Sequence, residues 1–492
     1  MSIEFELKLQ VPPESTKQVA DALDGAPRQR MRAIYFDSAG NSLASHRVSV
    51  RLRKEGREWV QTAKAPGRHG HARLEHNVPL GRSAVAPVVS VMRHAGSAVE
   101  PALCAALGVH DLQLAPALLA RFETDVFRVI AKVTDSYGNC VEIAFDRGEI
   151  RAGTAKTHVC EIEFERLQGD VAAAVHLARQ WAGTHNLWLS VSSKAQRGDL
   201  LATGHAFPEA LHATQPKLAR RASAASAVAD MALHALDQVF ANATSIGHGS
   251  EQAVHIHQLR VGLRRLRVVL RDFKGCVPGL DMRHESALAD VFCLLGVHRD
   301  RYNLATHIAP RIVADGGPTI QWPAAASGAD LARAVRAQAF QQALLLVFEA
   351  AVSVPQDTAA RKDSSALERV SQRLAKLHAA VTRDSKLFLR LDEERQHRVR
   401  KRLKRLRYTA EFAASLFGSH RAARYLDALK PLQEALGMYN DELGALAVHR
   451  ERAKHDPDAR FGEGWLAARR PFNAQACALE LARFVKRKPF WD

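Results

Sequence analysis

From Ile3 to Val11 the apolar residues Ile3, Phe5, Leu7, Leu9 and Val11 alternate with Glu4, Glu6, Lys8 and Gln10. A period of two places successive side chains on opposite faces of a strand, so one face is apolar and the other charged. The alternation returns in Val48-Ser49-Val50-Arg51-Leu52-Arg53, Arg73-Leu74-Glu75-His76-Asn77-Val78, Val141-Glu142-Ile143-Ala144-Phe145-Asp146 and Val159-Cys160-Glu161-Ile162-Glu163-Phe164-Glu165. Repeated strands with little helical spacing between them predict an antiparallel sheet or barrel over the first two hundred or so residues. Residues 206–218 carry two prolines and no sustained period, which marks a linker. Beyond it, apolar residues recur at three- and four-residue steps from Ala222 to Phe240, Leu331 to Val352 and Leu367 to Val381. That spacing predicts helices. The expected organisation is a sheet domain at 1–205, a linker at 206–218 and a helical domain at 219–492.

Inside the helical region a single segment is written twice, 140 positions apart. His257 pairs with His397, Arg260 with Arg400, Arg264 with Lys404 and Arg267 with Arg407, and Leu295-Gly296-Val297-His298-Arg299-Asp300 is answered, one residue out of step, by Leu436-Gly437-Met438-Tyr439-Asn440-Asp441. The repeat halves are therefore about 219–355 and 356–492. In the first copy Leu259, Leu263, Leu266, Leu270 and Phe273 form an apolar helical stripe, and His257, Arg260, Arg264, Arg267 and Arg271 form a basic one. Val399, Leu403, Leu406, Ala410 and Ala413 repeat the apolar stripe, while Glu411 stands where Arg271 would be. The two stripes point roughly 110° apart, so the cations border the buried face. Like charges stacked on a helix repel by ~0.2–0.5 kcal/mol per pair, and a bound anion removes that repulsion. Basic residues on one helix are ordinarily a solvated face; duplication of the same face points to a ligand. His257 and His397 taken singly also fit hydrogen-bonded histidines bordering a core.

Charge strengthens this picture. The chain of 492 residues carries a formal net charge of +17, with 26 Lys+Arg against 23 Asp+Glu up to residue 218 and 43 against 29 beyond it. The excess sits in the half with the repeat, and a polyanion is the expected partner: nucleic acid, an anionic membrane or a phosphate polymer. Cys104, Cys140, Cys160, Cys276, Cys293 and Cys477 show no paired metal-ligand spacing, which argues against a zinc module and suits reduced thiols. The start of the chain has neither a basic n-region nor an apolar h-region, and the most apolar run, around Ala343 to Phe348, is shorter than the ~20 residues of a bilayer span. The expectation is a soluble cytoplasmic protein.

The charged strand faces could simply meet solvent. Their composition suggests more. Acids cluster at Glu4/Glu6 and Glu161/Glu163/Glu165, and bases lie on other segments at Arg51, Arg53, Lys64, Arg73, Arg128 and Lys194. Turned inward, carboxylates hold a hard divalent cation while Arg and Lys bind phosphate oxygens. Together these form the equipment of metal-dependent phosphoryl transfer, which needs positioning and charge neutralisation more than covalent chemistry.

Glu4-Phe5-Glu6-Leu7-Lys8 resembles the E-x-E-x-K signature of the CYTH, or triphosphate tunnel metalloenzyme, superfamily. Matches follow in order: Tyr35-Phe36-Asp37 at a strand end, Arg51-Leu52-Arg53, Lys64 after Trp59-Val60-Gln61-Thr62, Glu161-Ile162-Glu163 and Ser193-Lys194. The resemblance implies an eight-stranded antiparallel β-barrel forming a tunnel, and hydrolysis of inorganic triphosphate to diphosphate and phosphate with Mg²⁺ or Mn²⁺. It implies Glu4, Glu6, Asp146, Glu161 and Glu163 as metal ligands, and Lys8, Arg51, Arg53, Lys64, Arg73, Arg128 and Lys194 as triphosphate ligands, with Glu4, Glu6, Lys8 and Lys64 catalytic. One departure is Asn77, which stands where the family often has an acid; an amide hydrogen-bonds but brings no charge.

The second half is similar to the CHAD domain, on the H-x-L-R run with its following arginines, on His397 to Tyr408, and on the two L-G ends at Asp300 and Asp441. Arg301-Tyr302 after Asp300 departs from that family's more acidic, aliphatic pattern. The resemblance implies an all-α domain of two pseudo-symmetric four-helix bundles that binds inorganic polyphosphate, which extends the expected location to polyphosphate granules. The fold class expected for the whole chain is thus α+β multidomain. Implied polyphosphate ligands are His257, Arg260, Arg264, Arg267, His397, Arg400, Lys404 and Arg407, with Arg265, Arg271, Lys401 and Arg405 next in line. Tripolyphosphate and polyphosphate are the expected partners, with no membrane. Two alternatives stand beside this reading: a non-catalytic protein that tethers granules, and a nucleic-acid-binding helical module. Neither basic run interleaves aromatics as single-strand binders do, whereas duplex DNA needs phosphate contacts alone.

Overall fold

The computed structural model describes residues 3–67, 72–322, 327–355 and 365–491. Among the described residues nine strands lie in one antiparallel sheet: β1 (Ile3–Gln10), β2 (Arg28–Asp37), β3 (Ser49–Glu55), β4 (Glu58–Pro66), β5 (Ala72–Arg82), β6 (Leu119–Thr134), β7 (Cys140–Ala152), β8 (Ala155–Gln168) and β9 (Trp188–Leu189). Their order is β5-β4-β3-β2-β6-β7-β8-β1-β9. The two-residue β9 adds to β1 beside Leu9 and Gln10, and β5 also meets β1 along a seam of three residue pairs, Ile3 with Leu74, Glu4 with Arg73 and Phe5 with Ala72. The expectation of a closed eight-stranded barrel is therefore corrected to a nine-stranded sheet. The ninth strand escapes the period-two reading because two residues are too few to alternate.

Contacts divide the chain into two compact units. The first holds residues 1–211, 237–250 and 332–353, and the second holds 212–236, 251–331 and 354–492. The break at 211/212 falls inside the stretch read as a linker, but two helical segments from beyond it group with the sheet.

In the first unit the apolar face of β1 explains that grouping. Phe5, Leu7 and Leu9 are buried, and Phe5 stacks on Phe348 of the helix Gln338–Val352 with ring centroids 6.2 Å apart. Phe348 in turn meets Phe240 edge-on at 5.5 Å. The same helix packs on Val171–His185, which starts at Asp170, whose carboxylate accepts from the Ala172 N–H, and ends at Asn186 in the left-handed region at φ 54°. Gln341 Oε1 accepts the Leu189 N–H at 2.9 Å and so anchors β9.

In the second unit the helices Ala366–Ser385, Glu393–Ala413, Ser419–Arg452 and Ala459–Val485 pack on one another as a bundle. Ser365 opens the first by accepting the Glu368 N–H, and Asp392 opens the second by accepting the Arg395 N–H at 2.7 Å. The two repeat helices, Ala253–Asp272 and Glu393–Ala413, also pack on each other. In the first copy, the helix Gln338–Val352 and the second half of the helix Ala224–Gly247 group with the first unit. The second copy forms one bundle, and the helices of the first copy divide between the two units. Each copy does bring its entry together, as Ser223 and Ser365 form a backbone bridge. Among the described residues no helix is long and apolar enough to cross a membrane, and the six cysteines are unbridged.

Candidate functional site

In the first unit the sheet register assembles a charged face in rows. Arg128, Asp146, Glu161 and Gln10 lie side by side across β6, β7, β8 and β1. The next rows hold Glu163 beside Lys8, and then Glu142, Glu165 and Glu6. On the other limb Tyr35, Arg51, Thr62 and Asn77 line up, with Lys64 opposite Glu75. This face is not solvated: Asp146 and Glu161 are 0% exposed, and Lys8, Glu163 and Lys194 no more than 9%. A buried charge is costly unless paired, so its partners define the site.

Asp146, Glu161 and Glu163 offer carboxylate oxygens within 4.8 Å of one another. The Lys194 ammonium reaches all three, at 2.6 Å from Asp146, 2.6 Å from Glu161 and 2.8 Å from Glu163. Ser193 aims it by capping the helix Lys194–Thr203 through the Gln196 N–H. Gly198 lets that helix lie close, since a Cβ there would meet the Phe122 ring at 2.1 Å. Arg128 forks onto Asp146 at 2.7 and 2.6 Å and reaches Glu163 at 2.5 Å. Lys8 lies 3.3 Å from Glu163, 3.5 Å from Glu6 and 3.6 Å from Glu161.

Burial opposes every one of these charges, yet mutual attraction prevails. Glu161 is held at about 2, against burial, by Lys194 and Lys8, and Glu163 well below the usual carboxylate range by Lys194 and Arg128. Against the same burial penalty, Lys194 is raised well above its ordinary value by Asp146 and Glu161, and Lys8 is raised by Glu161 and Glu163. Glu165 behaves oppositely: burial, and then Glu6 across the strand pair, push it up to about 7. Two unlike carboxyl environments thus coexist on one face.

The remaining predicted residues join from the other limb. Arg51 donates to the Tyr35 hydroxyl at 3.1 Å, and this guanidinium lowers the Tyr35 phenol despite its burial. Arg53 pairs with Glu55 at 2.5 Å. Lys64 is 3.1 Å from Glu75 and 3.9 Å from Glu6. Arg73 stands in register opposite Glu4, whose side chain lies outside the described residues. Asn77 accepts from Thr62 at 2.6 Å and donates to Glu75 at 3.0 Å, so it positions an acid where the family often supplies one. Arg197, unremarked in the sequence, reaches Glu161 at 3.2 Å; its place three residues after Lys194, on the same helical face, is the signal that would have found it.

The chemistry of the triad fits a hard divalent cation. Its donors are carboxylate oxygens, and Glu161 Oε1 is fully buried with no hydrogen bond directed at it, although Lys194 is near. Asp146, Glu161 and Glu163 would hold the ion. Glu6, on the neighbouring row, lies beyond that triad.

In the second unit the two repeat helices gather a basic cluster. Arg260, Arg264 and Arg267 fan over the Phe292 ring at 4.4, 5.1 and 5.0 Å from its centroid. Arg260 also donates to the Phe292 carbonyl at 3.1 Å. Gly296 makes this possible, since a Cβ there would meet the Arg260 guanidinium at 2.2 Å; Gly437 in the second copy has no such neighbour. Arg264 reaches the Tyr408 hydroxyl on the second repeat helix at 3.4 Å. Arg299 is 3.5 Å from Asp441, and Arg400 is 3.7 Å from the same acid. His397 meets Asn440 at 2.7 Å.

Cations outnumber acids here, and the titration of the group reflects it. Burial, with Arg264, Arg400 and Arg299, brings Lys404 down to about 5. Burial and Arg264 lower Arg260 to about 10. His257 and His397 are both lowered, chiefly by partial burial. At the far end acids intervene: Glu285 holds Arg267 at 2.7 Å and also Arg271, and Glu411 holds Arg407 at 2.5 Å.

Two predicted ligands lie elsewhere. Arg265 is 1% exposed, donates to the Thr214 carbonyl at 2.6 Å and stacks on Phe412. Arg405 pairs with buried Asp272, as does Arg373 at 2.5 Å. Both face away from the cluster because the next residue along a helix turns by about 100°. Lys401 is exposed on the second repeat helix. Arg299 and Asp441, by contrast, are legible as motif residues, but the repeat pattern gives them no role.

Comparison with known proteins agrees with both halves. A CYTH domain model matches residues 2–198, and a CHAD domain model matches residues 230–450. The chain is 30% identical over 172 residues to the inorganic triphosphatase of Haemophilus influenzae, an alignment covering 34% of this chain and 44% of that relative, so less than half of the relative's length is spanned. The crystal structure of the CHAD domain from the plant Ricinus communis is similar at 26% identity, covering 56% of this chain and 96% of that one, with a TM-score of 0.44. A Hippeastrum protein with a dominant triphosphatase activity is similar at 18% identity, covering 42% and 98%, with a TM-score of 0.29. The chain thus carries a region that matches the CYTH domain at residues 2–198, followed by one that matches the CHAD domain at residues 230–450.

Proposed function

We propose that the first unit is a metal-dependent inorganic triphosphatase and that the second binds inorganic polyphosphate. The observation that carries the triphosphatase assignment is the convergence of Lys8, Arg128 and Lys194 on the buried carboxylates Asp146, Glu161 and Glu163. Such a face is costly as a purely structural device and well suited to a ligand of dense negative charge. Lys8, Arg51, Arg53, Lys64, Arg73, Arg128 and Lys194 bind and orient the triphosphate, and their fixed charges offset the charge that builds on phosphate oxygens. Glu4 and Glu6 would add carboxylate oxygens to the ion from beside the triad. A bound Mg²⁺ or Mn²⁺ supplies Lewis-acid neutralisation of those oxygens. Glu165, with a carboxyl that titrates near neutrality, can hold or release a proton beside Glu6. A Glu4→Gln, Glu6→Gln double variant is expected to lose metal-dependent phosphate release from tripolyphosphate; full retention would contradict the assignment.

For polyphosphate binding the support is the acid-poor cluster of Arg260, Arg264, Arg299, Arg400 and Lys404. Polyphosphate offers equivalent oxygens in series for guanidinium forks and no bases to read. Phe292 already lies under three arginines, so it is not a platform for stacking nucleobases. Long-chain polyphosphate should displace duplex DNA at matched phosphate concentration and salt. Failure to do so would make nucleic acid the ligand.

A further inference from the structure

We propose that Lys404 is the proton-loading ligand of the basic cluster, so that phosphate-polymer binding takes up a proton there and weakens as pH rises. This rests on the reading of the cluster as a polyphosphate site.

The first observation is in the repeat itself. Of the four basic pairs at the 140-residue offset, three are identical, and only Arg264 and Lys404 differ. Arginine stays protonated at any physiological pH, whereas a lysine amine gives up its proton when its surroundings are hostile enough. Where the first copy carries a permanent arginine cation, the second therefore carries one that can exchange its proton.

The second observation is what surrounds it. From the first repeat helix come His257 and Arg264. The helix Glu285–Asn303 brings Arg299 and Asp300, and Ser419–Arg452 brings Asn440 and Asp441. Its own helix adds His397, Arg400, Lys401 and Arg407, with Tyr408 taken by Arg264. The nearby acids are committed elsewhere: Asp441 lies 3.5 Å from Arg299 and 3.7 Å from Arg400, and Asp300 lies 3.8 Å from Arg299. Among the described residues none is ion-paired with Lys404. Burial and the facing guanidinium groups accordingly depress its amine to about 5, while Arg260 and Arg400 remain charged near neutrality.

A polyphosphate chain reverses that balance by laying several anionic oxygens across the cluster. The neutral amine then binds one proton from the buffer, R–NH2 becoming R–NH3⁺, with no other bond made or broken. The sign follows: binding raises the amine's pKa, so affinity is greatest at low pH. It falls about tenfold per pH unit across the window between the free and bound values. Internal phosphates of a long chain neither gain nor lose protons there, and the histidines, already lowered in the free protein, are tested separately by substitution at Lys404.

The experiment is isothermal titration of the full chain with long-chain polyphosphate at pH 8, in buffers of low and high ionisation enthalpy. Wild type is expected to take up about one proton per occupied cluster. Lys404→Arg keeps a cation and is expected to bind with little or no uptake. Lys404→Met is expected to bind more weakly, also without uptake, with thermal unfolding confirming that both variants are folded. Binding by wild type without uptake, or wild-type uptake by Lys404→Arg, would overturn the proposal while leaving the polyphosphate reading intact. Absence of binding by wild type would remove that reading and the proposal with it.

Discussion

Arg128 on β6 holds Asp146 on β7 in a two-toothed grip, 2.7 Å from Nε and 2.6 Å from the terminal amino group, and the acid is fully buried. The pair sits in register across two strands, so the grip is built by the sheet. Arg128→Met leaves Asp146 with Lys194 alone and exposes Glu163 to its neighbours' charge. Thermal unfolding is expected to show a loss of about 3–5 kcal/mol, the usual cost of breaking a buried pair. Arg128→Lys restores the charge but not the fork, and is expected to recover only some of the lost stability.

Asp272 makes a parallel case in the second unit. It is a buried acid on the first repeat helix that meets Arg373 and Arg405 and lies 3.4 Å from the Thr409 hydroxyl. Asp272→Asn strands two guanidinium groups contributed by the second copy. A destabilisation of about 3–5 kcal/mol is expected by denaturant unfolding, with the far larger effect on the transition of the helical unit.

Adjacent arginines separate binding from structure. Arg264→Met removes a cluster cation and is expected to weaken polyphosphate binding by roughly tenfold with little change in unfolding temperature. Arg265→Met removes a guanidinium buried against Thr214 and Phe412, and is expected to lower the unfolding temperature while leaving the affinity of the folded fraction near wild type. Filter-binding and melting curves on the two variants check this crossing.

Acid stability has an identifiable source in the first unit. His94 is fully buried, with Nε2 2.9 Å from Gln61 and Nδ1 3.0 Å from His76, and burial, then His76 and Arg93, hold it down to about 4. The unfolded chain protonates it near 6.5. Its contribution is therefore complete above 6.5 and is lost as pH falls through 4, at most about 3 kcal/mol. Stability measured from pH 7 to 4 is expected to fall less steeply in His94→Gln than in wild type.

Much of the fold is legible from pattern alone. Alternation along residues 3–11 and 159–165 gives strands with one charged face, and the 140-residue offset gives two basic helices that do pack together. Reading the charged face as interior requires several strands at once, because a single strand cannot say which side water takes. Periodicity fails where identity depends on a distant partner. Arg265 and Arg405 read as basic-stripe neighbours, yet Thr214 and Asp272 hold them off that face. Gly296 reads as a motif glycine, and only the position of Arg260 explains it. The helix Gln338–Val352 reads as a member of the helical half, since nothing local announces that Phe348 stacks on Phe5.

Metal-dependent cleavage at the carboxylate triad is tested most directly by phosphate release from tripolyphosphate, with Mg²⁺ or Mn²⁺ and again with EDTA, on wild type and on Glu161→Gln. The expected result is turnover with metal, none with EDTA, and a loss of at least about a hundredfold in the variant. Equal release with EDTA, or wild-type turnover by folded Glu161→Gln, would contradict the assignment of the buried face as a metal-assisted triphosphatase site.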